Sequence, residues 1–185
     1  MYKRQVGPKL QKVSPHFKAE AKAVGGALFR IHNDQRFGKK PPYKTHVGIQ
    51  FRHEAGKDVR TPGFYLHVEK GGSFIGLGIW QPPTPIARNI RQQIADYSSD
   101  YKKAVQSKAF REKFEIRGES LKRVPKEFDP EHPLGDHLRK KSFIAVANLT
   151  DAQVLSDDLV KTYMTHVKAG KKFVEFLCVA TNVDF

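Results

Sequence analysis

Phe64-Tyr65-Leu66-His67-Val68, then Glu69, Lys70-Gly71-Gly72-Ser73 and Phe74-Ile75-Gly76-Leu77-Gly78-Ile79-Trp80 follow one another without a break. Apolar and polar side chains alternate through 64–68, the period-two mark of a half-buried strand. The paired glycines at 71–72 supply the positive φ that a tight turn requires, so 74–80 reads as the returning strand. Upstream, Val47-Gly48-Ile49-Gln50-Phe51-Arg52 alternates in the same way, with Val47, Ile49 and Phe51 on one side. Further upstream, Ala27-Leu28-Phe29-Arg30-Ile31-His32 follows Gly25-Gly26 and reads as a strand with Ala27, Phe29 and Ile31 inward. Four consecutive strands with short links predict an antiparallel meander.

Helical patterns follow. Thr84 suits an N-cap, with Pro85 at the first helical position. Ile86, Ile90, Ile94 and Tyr97 then fall on one helical face. Ser99 is expected to cap a second helix bearing Tyr101, Val105 and Ala109. Phe114 to Ile116 reads as a short strand, Leu134 and Leu138 mark a short helix, and Ser142 to Val146 reads as the fifth long strand. Thr150 with Gln153 fits a capping box, and a long helix is predicted over about 157–180. Residues 1–26 read as basic and irregular, and Met1 to Gly7 lacks periodicity. The expected fold is α+β, an antiparallel meander sheet of about five strands packed on one face by helices. It forms a single domain over 1–185, with 1–13 a disordered or artificial start.

Composition narrows the function classes. No apolar run approaches the ~18–20 residues that span a bilayer, and no apolar segment follows the basic N-terminus. A lone cysteine, Cys178, rules out an internal disulfide and a multi-cysteine zinc site. A cytoplasmic location is expected. The net charge is +14, and residues 1–60, with 14 basic and 4 acidic side chains, carry +10 of it. Such asymmetry points to an anionic partner, either a small anion or a nucleic acid. A membrane surface fits poorly, because no segment opposes a basic face to a long apolar one.

If the apolar sets face the helices, the opposite sheet face collects Arg30 and His32, then His46, Gly48, Gln50 and Arg52, then Tyr65 and His67, then Phe74, Gly76, Gly78 and Trp80. A wet face that serves only solubility usually carries Lys, Glu and Thr instead. Glycines at 76 and 78 are expected to let a ligand approach the backbone. The loop from Arg30 to His46 adds Asp34, Arg36, Lys39, Lys40, Tyr43 and Lys44. Its two arginines can grip phosphate or carboxylate bidentately. Asp34 suits a base or an ion-pair partner of Arg30 or Arg36.

This loop also resembles the signature of a bacterial and fungal family, the domain of unknown function 2461 family. The match rests on Arg30, Asp34, Arg36, Phe37, Pro42, Tyr43 and Lys44. Ser14-Pro15-His16-Phe17, Phe51-Arg52-His53, Pro62 to His67, Gly118 to Arg123 and Phe128 to Leu134 extend it. Asn33 stands where the family often has a second arginine, and the stretch between Phe37 and Tyr43 is one residue short. The family's helical N-terminal segment has no counterpart in the pattern, so a truncated fragment is expected. The resemblance implies a fold and a site position rather than an activity.

Other chemistries find less support. His32, His46 and His67 share a face, but no HxxxH or HxH spacing links them, so no metal and no cofactor is assigned. Cys178 lies late in an apolar helix and reads as an inert buried thiol. Glu119 and Lys122 read as a surface ion pair. The favoured function is binding of a small anionic ligand. Asp34, His46 and His67 are the acid, base or ligating groups, and Arg30, Arg36, Tyr43, Lys44, Arg52, Tyr65 and Trp80 line the site. The alternative is a nucleic-acid or polyanion module, with Phe74 and Trp80 stacking on bases. The sequence specifies neither a reaction nor an oligomeric state.

Overall fold

The computed structural model describes residues 2–22, 25–34, 41–56 and 60–185. Its elements are α1 (Tyr2–Gln11), β1 (Phe17–Lys18), β2 (Val47–His53), β3 (Gly63–Val68), β4 (Phe74–Ile79), α2 (Thr84–Asp96), α3 (Ser98–Gln106), α4 (Lys108–Arg111), β5 (Glu115–Arg117), α5 (Gly135–Leu138), β6 (Phe143–Asn148), α6 (Asp151–Leu155) and α7 (Leu159–Ala180). The architecture is α+β. The sheet has six antiparallel strands rather than about five, in the order β1-β2-β3-β4-β6-β5. Two of the six, β1 and β5, are only two and three residues long. No helix among the described residues is long and apolar enough to cross a membrane.

The N-terminal expectation is corrected. Residues 2–11 are helical, and Val6 and Leu10, at i and i+4, are buried. Gly7-Pro8 reads locally as a breaker, but packing of α1 against α7 overrides that weak propensity. The strand expected at 27–32 is also corrected. Only isolated bridges form there, Leu28 to Ile49 and His32 to Tyr43. The segment lies along the same β2 edge as β1. Its phase is shifted by one residue: Leu28 shares the face of Ile49, and Phe29 turns to the opposite face.

One face of the sheet carries Ile49, Phe51, Phe64, Leu66, Ile75, Leu77, Ile79, Phe143, Ala145 and Ala147, all buried. Helix α7 lies across it and buries Leu159, Tyr163, Val167, Phe173, Val174 and Leu177, as its periodicity predicts. The approach is close enough that a Cβ at Gly170 would lie 1.9 Å from Leu77 Cδ1. Helix α2 buries Ile90 and Ile94, whereas Tyr97 stays exposed, as does Ala109, whose expected place is taken by Phe110. The predicted capping box at Thr150 and Gln153 forms and starts α6. Glu119 does not pair with Lys122. Lys141, brought alongside by the chain's return into β6, takes the carboxylate at 2.8 Å. Burial pushes the Cys178 thiol up to about 12, which leaves it an inert core group.

The seam between β4 and β6 depends on Gly78. Its φ is +109°, and a Cβ there would meet the Phe143 carbonyl oxygen at 2.1 Å. Neither condition suits any other residue. Gly78→Ala is therefore expected to cost at least about 2 kcal/mol, read as a lower urea midpoint.

Candidate functional site

The register fixes which side chains share the face away from the helices. Gly48 is opposite His67, Gln50 opposite Tyr65 and Arg52 opposite Gly63. On the next strand, His67 is opposite Phe74 and Tyr65 opposite Gly76. His46 precedes β2 on the same face. The result is an aromatic cluster. His67 stacks on Phe74 at 4.7 Å and on His46 at 4.5 Å, and Tyr65 packs against Phe29 and Phe74.

Gly48 makes room for it. A Cβ there would lie 2.6 Å from Tyr65 Oη and 3.0 Å from Phe29 Cδ2. The hydroxyl sits over the bare backbone and reaches His67 Nδ1 at 3.1 Å. The other ring nitrogen, Nε2, is 3.2 Å from Glu69 Oε2. The carboxylate can only accept, so in the neutral ring Nε2 carries the proton and Nδ1 accepts from Tyr65. Thr45 Oγ1 donates to Glu69 Oε1 at 2.6 Å. The Thr45 and His67 hydrogen bonds hold the Glu69 carboxyl below its ordinary range, and burial raises the Tyr65 phenol. His67 is only 12 % exposed along its side chain.

Glu69 is held by its turn. Its N–H donates to Ser73 Oγ at 3.0 Å, and that hydroxyl donates back to the Glu69 carbonyl at 2.8 Å. Gly71 N–H donates to Asp151 Oδ1 at 2.8 Å, which ties the turn to the start of α6. Oxygens and nitrogens of His46, His67 and Glu69, one atom from each, lie within 4.8 Å of one another. His32, expected on the same face, pairs with Tyr43 instead.

The cations divide into committed and uncommitted ones. Lys18 binds Glu54 at 2.7 Å, and with His16 it lowers that carboxyl to about 2. Arg30 sits 3.8 Å from Asp34, and its side chain is 68 % exposed. Lys44 Nζ donates to the Arg30 carbonyl at 2.9 Å and lies 6.0 Å from the Phe29 ring. Arg52 lies 6.0 Å from the same ring and donates through Nε to Gln50 at 3.2 Å. Among the described residues it has no carboxylate partner. Arg52 and Gln50 border a cavity of about 320 Å³ whose rim includes Lys18, Gly25, Gly26 and Glu54.

Some expected members do not join. Tyr43 is 58 % exposed, beside His32. Trp80 is 55 % exposed past the end of β4, roughly 20 Å along the strand from Phe74. Arg36, with Lys39 and Lys40, lies outside the described residues. The strand glycines do not bare the backbone to a ligand. Tyr65 and Phe74 cover Gly76, and Gly78 serves the contact with Phe143. Glu69, Thr45 and Phe29 are additions. Glu69 extends the 65, 67 alternation by one step, which a strand ended at Val68 cuts off.

A family model described as conserved hypothetical protein (DUF2461) matches residues 2–176. No curated protein and no solved structure matches the chain.

Gly48→Ala is expected to displace the Tyr65 hydroxyl from His67 while the sheet still forms. Nitrogen chemical shifts of the His67 ring should report the lost Nδ1 hydrogen bond. Unchanged shifts in a folded variant would show that Tyr65 does not hold that nitrogen.

Proposed function

We propose, from the premise that the chain belongs to the conserved hypothetical protein (DUF2461) family, that its polar sheet face binds a small anionic ligand bearing phosphate or carboxylate. The observation that carries this reading is Arg52. Its guanidinium lies over Phe29 beside a cavity, braced by Gln50, with no carboxylate partner among the described residues. A planar fork held in this way suits a bidentate oxyanion. Lys44, on the same ring, adds a second charge. Arg30 and Asp34 form a rim pair that orients the arginine. Arg36 and Tyr43 are proposed to complete the grip.

The chemistry proposed beside the anion is proton transfer. Tyr65, His67 and Glu69 form a chain of hydrogen bonds from a half-buried phenol to a carboxylate held ionised. A base oriented by a third group can take or return a proton at the phenol end. His46 stacks on that base and fixes its ring.

The polyanion reading keeps the +10 of residues 1–60 and the exposed Tyr43 and Trp80. It loses Phe74, whose ring lies against His67 and is not free to stack on a base. The small-anion reading is therefore preferred.

Calorimetric titration with inorganic phosphate and short-chain dicarboxylates tests it. One of these is expected to bind saturably, and Arg52→Ala to weaken it at least about tenfold. Lys108→Ala, remote on α4, should change nothing. Equal binding by the wild type and Arg52→Ala would refute the assignment. Steep salt dependence for an oligonucleotide, with no competition by phosphate, would favour the polyanion module.

A further inference from the structure

We infer that His46, His67 and Glu69 form a binding site for a divalent transition-metal ion of the zinc class. The inference uses none of the cations of the anion reading, and an ion on His67 Nε2 would replace the proton relay proposed through that ring. Two imidazoles and one carboxylate are a recognised ligand set for zinc and for non-haem iron, and they leave coordination positions open.

The sheet register brings the three together. Val47 is opposite Val68 and Gly48 opposite His67, so the next step places His46 across from Glu69. All three side chains then leave the same face, two on one strand and one on its neighbour. Cross-strand neighbours on one face have Cβ atoms about 4.5–5.5 Å apart, within reach of one ion. The donor atoms already lie within 4.8 Å of one another. Metal–ligand distances of about 2.0–2.2 Å demand a contraction of roughly 1 Å, which a turn of the half-buried His46 ring can supply.

The surroundings support ligation more than mere packing requires. Glu69 spends Oε1 on Thr45 and keeps Oε2 toward His67 Nε2. Ser73 fixes the Glu69 backbone from both its N–H and its carbonyl. Tyr65 Oη stands at the far nitrogen of His67, where an outer partner sets the tautomer of a metal-binding imidazole. On ligation through Nε2 the ring proton sits on Nδ1 and is donated to Tyr65 Oη. Phe74 closes one side of His67 with an apolar wall. Glu69 supplies one negative charge against the ion's two, so the occupied site keeps a net positive charge.

The test is titration of the chelator-treated full chain with Zn²⁺ by calorimetry, and with Co²⁺ by visible absorption. One ion per chain is expected, with cobalt d–d bands of nitrogen and oxygen ligation and no thiolate band. His46→Ala and Glu69→Gln should each weaken binding at least about a hundredfold, and Tyr65→Phe about tenfold. His16→Ala removes the contact of His16 with Glu54 and should leave affinity unchanged. Arg52→Ala should also leave it unchanged, which separates this site from the anion site. No stoichiometric ion in the wild type would overturn the inference. So would unaltered affinity in folded His46→Ala and Glu69→Gln, since both positions lie just beyond strand ends and outside the core.

Discussion

The pairing of β2 with β3 governs everything described on the polar face. Antiparallel strands alternate their side chains, so a slip of one residue would send Tyr65 and His67 into the core and Phe64 and Leu66 into water. The register is held from both sides of the sheet. On the helical side, Phe51 and Phe64 are fully buried, with Tyr163 of α7 packed on Phe51. On the other side, Gly48 leaves the room that the Tyr65 ring and hydroxyl fill. At the turn, Ser73 and Asp151 bind the backbone of 69 and 71. His53 adds a tie at the end of β2, where Nε2 donates to the Asp184 carbonyl at 2.7 Å.

Much of this layout was legible in the sequence, because alternation and helical periodicity are driven by the same burial that builds the core. The strands read at 47–52, 64–68 and 74–80 and the long C-terminal helix follow from it, the third ending one residue earlier at Ile79, and so does the sharing of one face by His46, His67, Tyr65 and Arg52. The failures have particular causes. Helix α1 has only Val6 and Leu10 to mark its inner face, and Gly7-Pro8 argues against it locally. The 27–32 segment is not a regular strand, so a two-residue period assigns Phe29 to the wrong side. Glycine is ambiguous in sequence. At 76 and 78 it accommodates neighbouring rings and a carbonyl, not a ligand. Glu69 was hidden by the turn signal that begins at Lys70.

Charge is less informative than its total suggests. Several cations of the N-terminal third are already occupied within the fold: Lys18 by Glu54, Arg30 by Asp34, and Lys44 by a backbone carbonyl. Exposed pairs of this kind contribute little to stability. They do, however, fix where each of these cations lies. What distinguishes Arg52 is its bracing by an amide and a ring rather than by a carboxylate.

The position of the aromatic cluster in the chain has a consequence for assembly. Its polar members run only from Thr45 to Glu69, with Phe74 just beyond, so they meet through short loop closures. The contact that seats the helical layer, Leu77 against Gly170, instead spans roughly half the chain. Near contacts close with less entropy loss and form sooner than distant ones. The chemistry of the face and the durability of the fold are thus written in separate parts of the polypeptide. Substitutions in α7 reach the face only through the buried side of the sheet, as where Tyr163 packs on Phe51.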